Sequence, residues 1–289
     1  MLNVLTIDVE DYFHVSALAK SIDRNNWDSM DSRVALNVHR LLDLFDEHNV
    51  KATHFVLGWV AERFPELIRE IDRRGHEVAS HGYSHQLVYN QTPQVFENET
   101  RDSKSLIEDI IGKPVNGYRA ASYSITRKSL WALDILADLG FIYDSSIFPV
   151  VHDLYGIKGS PVYPHVLETP NKRMLVEFPL SIYRWFGQTI PVAGGGYFRL
   201  YPYWLSRFFY RSINKSSVPF VFYLHPWEVD PDQPRIQASL LSRFMHYNNL
   251  DKCQKRLSNL LDDFSFTTMY SKLDEMELFS DKRPAAVSY

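Results

Sequence analysis

Segments typical of strands and of helices alternate along most of this chain. Apolar runs at residues 4–7, 52–56 and 218–224 are typical of buried strands, and residues 34–45 carry apolar side chains at the 3.6-residue period of a helix. This alternation predicts an α/β protein with a parallel sheet wound with helices and closed as a barrel. The alternation stops between about 150 and 200, where Pro, Gly and Tyr are frequent. We interpret that segment as an ordered insertion that contains a hairpin and that the barrel does not need in order to close.

Size and composition are those of one large domain. The chain has 289 residues and 45% hydrophobic content, enough for a single core, which we place at residues 1–275 with a C-terminal tail at 276–289. A net charge of −4 without basic tracts argues against a nucleic-acid partner. The single Cys253 excludes an internal disulfide framework, and no apolar run approaches the roughly 18 residues of a membrane span. Since no signal-peptide pattern is present at Met1, we expect a cytoplasmic protein.

Metal-ligating residue types follow two of the strand-like segments. His81 and His85 come directly after residues 77–80, and the first strand ends in Asp8, Glu10 and Asp11. Two neutral imidazoles and one carboxylate leave a divalent ion with open positions for water and substrate, as catalytic zinc sites do. Residues i and i+2 of a strand face the same way, which favours Glu10, alongside Asp8, as the carboxylate ligand; Asp11 is the alternative.

Three further strand ends carry polar residues: Arg119, Asp144 and His225. Barrels of this kind build active sites from residues at the carboxyl ends of their strands, so these side chains are expected to share one site with the metal ligands. Metal-assisted hydrolysis would assign Asp8 as general base, Arg119 as the cation that holds Asp8, and His225 as the acid that protonates a leaving nitrogen.

Five ordered motifs resemble those of the polysaccharide deacetylases, the NodB-homology or carbohydrate esterase family 4 proteins. The motifs are TID (6–8), SHGYSH (80–85), RAASY (119–123), YDSS (143–146) and LHP (224–226). The stretches DVEDYFH (8–14), FVLGWVA (55–61) and GGGYFR (194–199) further resemble the subgroup encoded with bacterial exopolysaccharide clusters. The resemblance implies a deformed (β/α) barrel of about seven strands and one divalent metal ion, commonly Zn²⁺. It also implies removal of N-acetyl groups from amino sugars, with Asp144 orienting the His225 imidazole.

The expected substrate is an N-acetylated glycan of a surface polysaccharide or its precursor. The residues expected to bind it are Ala121, Tyr123, Trp185, Tyr197 and Trp227, because aromatic side chains stack well on sugar rings and an insertion can form one wall of a groove. Two alternatives stay open: an amidase for small linear or cyclic amides, as in allantoinase-like relatives, and a non-catalytic glycan-binding protein. The sequence is also compatible with a homo-oligomer.

Overall fold

The computed structural model describes residues 1–150, 152, 155–281 and 283–289; residues 151, 153 and 154 of the expected insertion lie outside the described residues. The strands are β1 Leu2–Val9, β2 Thr53–Val56, β3 Glu77–Ser80, β4 Gly117–Tyr118, β5 Tyr143–Asp144, β6 His165–Glu168, β7 Met174–Glu177, β8 Ile182–Trp185, β9 Gln188–Pro191, β10 Val221–Leu224 and β11 Ser265–Thr267. The helices are α1 Val34–Glu47, α2 Gly58–Arg63, α3 Pro65–Arg73, α4 Pro93–Ile111, α5 Trp131–Asp138, α6 Gly195–Leu200, α7 Tyr203–Lys215, α8 Leu240–Tyr247, α9 Leu250–Asp263 and α10 Met269–Glu275.

A mostly parallel sheet forms the centre of the molecule. Its strand order is β10–β1–β2–β3–β4–β5–β7–β6, with β11 beside the first half of β1. Strands β1 to β5, β7 and β10 run parallel, and β6 returns antiparallel to β7. Parallel neighbours need a crossover between them, and here helices supply most of these crossovers. The predicted α/β barrel of about seven parallel strands is confirmed.

The insertion takes part in closing the barrel, contrary to expectation. The sheet's strand order begins at β10 and ends at β6, and the chain before and after the separate β8–β9 hairpin contacts β10. The Val221 N–H donates to Ser181 Oγ at 2.8 Å, and the Tyr223 N–H donates to the Ala193 carbonyl at 2.7 Å. Gly194 passes so close to β10 that a Cβ there would lie 2.0 Å from the Tyr223 carbonyl oxygen. Residues 181 and 193–194 therefore act as part of the barrel wall.

Two other boundaries differ from the sequence-based expectation. A single helix over about 239–261 would fit the apolar spacing, but α8 and α9 are separated at Asn248, and Asn249 adopts a left-handed φ of 52°. The C-terminal tail is not free of the domain, because Val287 exchanges backbone hydrogen bonds with Val166 and Glu168 of β6. Within the described ranges, no helix is both long enough and apolar enough to cross a membrane.

Candidate metal centre and catalytic cleft

The polar strand ends meet in one cleft of about 200 Å³ at the carboxyl edge of the sheet. Strands β1, β3 and β10 deliver charged or imidazole side chains to it, and the loop after β4 and residues of α6 and α8 complete its walls. The side chains that line it include Asp8, Glu10, His81, His85, Tyr123, Tyr155, Arg199, Tyr223, His225, Trp227, Met245 and His246. The sheet thus brings together residues more than two hundred positions apart.

Glu10, His81 and His85 form the candidate metal centre. Each offers a ligand atom, and the three atoms lie within 4.8 Å of one another. His81 Nδ1 donates to the Arg119 carbonyl at 2.7 Å, which leaves Nε2 as the lone-pair nitrogen that can face an ion. Burial lowers the pKa of His81 to about 4, so this imidazole is neutral at physiological pH, as a ligand must be.

The donor set fits a divalent cation. Glu10 Oε2 lies 2.9 Å from His85 Nε2, yet among the described residues this buried oxygen has no well-aligned hydrogen-bond donor. Burial acts to raise the pKa of Glu10, but the imidazoles of His85 and His225 outweigh burial and hold that pKa far below its usual range. A buried, ionised carboxylate facing two imidazoles is an arrangement that a cation would satisfy.

Asp11, the alternative ligand, has a different role. Its Oδ2 accepts hydrogen bonds from the backbone N–H groups of Arg33 (2.8 Å) and Val34 (3.0 Å) and from Ser32 Oγ (2.7 Å), while Oδ1 accepts from the Tyr12 N–H. These donors occupy both oxygens at the start of α1, whose first N–H groups lack helical partners. Asp11 therefore anchors α1, and Glu10 is the carboxylate that faces the histidines.

Asp8 lies beside this centre and is held as expected. Arg119 is completely buried and donates from its guanidinium to Asp8 Oδ1 at 2.7 Å and to Thr6 Oγ1 at 2.7 Å. Tyr123 Oη contacts the other oxygen, Asp8 Oδ2, at 3.4 Å. Ser145 fixes the far side of the guanidinium by accepting from both Nε and the second terminal nitrogen of Arg119. One Asp8 oxygen is thus committed to Arg119, and the other faces the cleft.

His225 lies across the cleft, but its carboxylate partner is not the one expected. Glu228 Oε1 accepts from His225 Nδ1 at 2.8 Å, and Glu228 Oε2 accepts from Arg199 Nε at 2.5 Å. Burial acts to lower the pKa of His225, and Glu10 together with Glu228 outweighs it and raises that pKa to about 9. His225 is therefore protonated at neutral pH, the state that a proton donor requires.

Asp144 was expected to orient His225 and does not. Its Oδ1 accepts from Ser146 Oγ at 2.5 Å, and Ser146 Oγ in turn accepts from the Ala120 N–H at 2.8 Å. Burial raises the pKa of Asp144 and of the neighbouring Glu177, so that the two carboxyl groups retain a proton between them. Asp144 therefore supports the loop after β4 through Ser146. Its strand, β5, lies two places from β3 in the sheet and on the side away from β10.

Of the predicted substrate-binding residues, only some face the cleft. Tyr123 and Trp227 line it, and the Tyr197 hydroxyl is 3.4 Å from that of Tyr155, which also lines it. Ala121 is buried behind the wall. Trp185 is 57% exposed at the end of β8 and is not among the lining residues, so the expectation that it forms the groove near the metal ligands is wrong.

Three residues of the site were given no role by the sequence reasoning. Glu228 follows His225 by three positions, and one helical turn brings side chains at this spacing together. The HPWE pattern could therefore have suggested that Glu228 contacts His225. Arg199 stands in the GGGYFR stretch, but nothing in the sequence indicates that it meets Glu228 across 29 positions. His246, which stacks on Trp227 with ring centroids 4.2 Å apart, likewise carries no local signal.

Fold and cleft together define the class: an α/β barrel with a His–His–carboxylate centre at the carboxyl ends of its strands. Residues 26–142 match the family described as polysaccharide deacetylase, and residues 145–274 match one described as a domain of unknown function, DUF3473. Over residues 26–142 the chain is therefore similar to polysaccharide deacetylases, and this match covers less than half of its length. Asp8 and Glu10 precede the first matched region, and His225 and Glu228 fall in the second.

Individual relatives show the same similarity. A peptidoglycan deacetylase of Helicobacter pylori is 35% identical over 112 residues, which cover 39% of this chain and 37% of the relative. A chitooligosaccharide deacetylase of Bradyrhizobium is 32% identical over 97 residues, covering 34% of this chain and 42% of the relative. The chain thus matches less than half the length of either relative.

Solved structures show the same fold over nearly the whole chain. A candidate polysaccharide deacetylase from Mycobacterium smegmatis superposes with a TM-score of 0.64 at 21% identity, covering 98% of this chain and 92% of its own. Puue allantoinase superposes with a TM-score of 0.62 at 15% identity, covering 97% and 91%. At these identities the likeness concerns the fold.

Proposed function

We propose that this protein is a metal-dependent hydrolase that removes N-acetyl groups from amino sugars of a bacterial surface polysaccharide or its precursor. The observation that carries the proposal is the two-sided cleft. Asp8, held by Arg119, and His225, whose Nε2 lies 3.2 Å from Glu10 Oε1 and whose Nδ1 is bonded to Glu228, both line the cleft that contains the Glu10–His81–His85 centre. Amide hydrolysis needs a base for the attacking water and an acid for the departing amine, and this cleft offers both.

The chain's own residues would divide the work as follows. A divalent ion held by Glu10, His81 and His85 would acidify water and polarise the amide carbonyl; nitrogen and carboxylate donors of this kind favour zinc. Asp8 takes a proton at Oδ2, the oxygen that Tyr123 Oη contacts at 3.4 Å, and Arg119 keeps the carboxylate fixed through the 2.7 Å contact with Oδ1. His225 donates from Nε2 to the leaving nitrogen, since its Nδ1 is bonded to Glu228.

The substrate class rests on three supports. The relatives are described as deacetylases of peptidoglycan and chitooligosaccharides, which are polymers of N-acetylated sugars. Tyr123 and Trp227 give the cleft aromatic faces against which a sugar ring can stack. The stretches at 8–14, 55–61 and 194–199 favour an exopolysaccharide or its precursor over peptidoglycan.

Metal content and acetate release test the proposal together. The purified protein is expected to contain about one divalent ion per chain and to release acetate from N-acetylated oligosaccharides. His81→Ala and His85→Ala should each lose both properties, because one missing imidazole removes most of the affinity. His39→Ala, which alters an exposed histidine on α1, is the matched control and should change neither. Turnover of allantoin without acetate release from any glycan would replace this proposal with the small-amide alternative.

A further inference from the structure

Exposed apolar side chains are concentrated in one stretch of the chain. Sixteen large hydrophobic side chains are exposed among the described residues, and nine of them lie between residues 185 and 245. Those nine are Trp185, Phe186, Leu200, Trp204, Phe208, Leu240, Leu241, Phe244 and Met245. Phe186 is 92% exposed and Leu240 is 84% exposed. A cluster of this kind on an otherwise well-buried domain marks an interaction surface.

The same elements carry only positive charge. Residues 178–227 contain four arginines and one lysine and no Asp or Glu, although the whole chain has a net charge of −4. Residues 233–250 contain Arg235 and Arg243 and likewise no acid. Asp263 on α9 pairs with both Arg207 (2.5 Å) and Arg211 (3.5 Å), which leaves two guanidinium charges against one carboxylate.

Direct contacts join these elements to one another. The Tyr183 ring of β8 packs on Phe208 and Phe209 of α7, with centroids 5.9 and 4.9 Å apart, so the hairpin rests against α7. At the other end, Arg199 of α6 donates to the Met245 carbonyl of α8 at 3.0 Å. We call the exposed side chains of the β8–β9 hairpin, Leu200, α7 and α8 the apolar–cationic face.

Within α7 the two kinds of side chain lie on one side of the helix. Trp204 and Phe208 are four residues apart and Arg207 and Arg211 are likewise, so successive turns present an aromatic ring and a guanidinium next to each other. Trp204 is 69% exposed and the Arg211 side chain is 53% exposed. Within α8, Leu240, Leu241, Phe244 and Met245 likewise share a face.

The apolar–cationic face borders the catalytic cleft. Met245, one of its members, also lines the cleft together with His246. Arg199, whose contact joins α6 to α8, is the residue that holds Glu228 behind His225. A surface bound to this face would therefore lie next to the opening through which a glycan reaches His225.

We propose that the apolar–cationic face docks on the surface of an anionic lipid bilayer. Exposed aromatic and leucine side chains insert at the boundary between headgroups and acyl chains, where tryptophan is enriched, and the arginines meet the negative surface potential of acidic lipids. Stable attachment to a bilayer without a spanning helix takes two such signals, apolar and basic, and this face has both. If the proposed deacetylase function holds, the docked enzyme would act on glycans attached to, or assembled at, a membrane.

Vesicle sedimentation with the full chain tests the docking. We expect the protein to sediment with vesicles of equal parts phosphatidylcholine and phosphatidylglycerol and to be released by added salt, which screens the arginines. Phe186→Ser, Trp204→Ser and Leu241→Ser should each lower the partition coefficient about tenfold, since each removes an apolar side chain that would move from water into the bilayer. Arg211→Gln should weaken it about fivefold.

Matched controls and opposite outcomes make the test decisive. Tyr163→Ser and Leu36→Ser alter exposed hydrophobic residues outside the face and should bind vesicles as the parent does. All variants should melt like the parent protein. The proposal would be overturned if the protein did not bind the mixed vesicles. It would also be overturned if the protein bound vesicles of pure phosphatidylcholine equally well. Self-association of the parent that the face variants abolish, without vesicle binding, would also overturn it and identify a homo-oligomer interface. The assay measures no turnover, so its failure and that of the proposed function are distinguishable.

Discussion

Replacement of Glu228 by glutamine should separate proton donation from the rest of the reaction. In the structure, one carboxylate oxygen accepts from His225 Nδ1 at 2.8 Å and the other accepts from Arg199. Glutamine keeps the shape but removes the charge that, with Glu10, raises the pKa of His225 to about 9. Loss of one charge-assisted hydrogen bond is worth about 2 kcal/mol, or about a 30-fold fall in kcat/KM for an N-acetyl substrate.

The assay compares an amide with an activated ester. The nitrophenolate group of an activated acetate ester leaves without being protonated. Glu228→Gln should therefore slow hydrolysis of the ester much less than hydrolysis of the amide. Asp230→Asn is the matched control, because Asp230 is an equally buried carboxylate that pairs with Arg33 rather than with the cleft. Each variant should lower the stability of the fold, because it replaces a buried carboxylate that pairs with an arginine by a neutral amide. Equal slowing of ester and amide by Glu228→Gln, or a changed ratio in Asp230→Asn, would refute the assignment of Glu228.

Three further predictions concern the first two strands. Glu10→Gln should lose bound metal in elemental analysis, whereas Asp11→Asn should keep the metal and lower the free energy of unfolding by about 1 kcal/mol, because it weakens a helix cap. Asp8→Asn should keep the metal and lose activity by about 10²–10⁴-fold in steady-state assays; metal loss there would mean that Asp8 is a ligand. Burial holds the pKa of His54 well below 6.5 and that of neighbouring His76 at about 4, so both stay neutral in the folded state. The unfolded chain binds more protons below pH 6.5, and stability should fall as the pH drops toward 4. His54→Phe should reduce that fall in chemical denaturation, and an unchanged pH dependence would contradict it.

His54 illustrates a residue whose role the sequence could give. It lies in a strand where an aromatic side chain would pack equally well, which indicates a core position rather than a ligand. In the structure its ring packs edge-on against Phe45 and His76, with centroids 6.3 and 4.9 Å away. The alternation of faces along β2 is enough to point it away from the cleft.

The insertion shows where sequence reasoning succeeded only in part. Tyr155 and Arg199 of the insertion line the cleft, as expected of one of its walls, whereas Trp185 lies on the exposed hairpin and residues 181 and 193–194 contact β10 in the barrel wall. Aromatic composition does not distinguish a cleft wall from an outer surface, because both expose rings. Only the packing of Tyr183 on α7 fixes the direction in which the hairpin points.

The sequence by itself determined the barrel and the residue types at its active edge. Parallel strands end at a common edge, so Asp8, Glu10, His81, His85, Arg119 and His225 had to meet once the alternation of strands and helices was recognised. The tertiary structure alone decided the partners of Asp11 and of His225. Asp11 is bound by the start of α1, and Glu228 is bound by Arg199 from 29 positions away. Such pairings depend on how separate elements pack, and no local pattern of residues encodes that geometry.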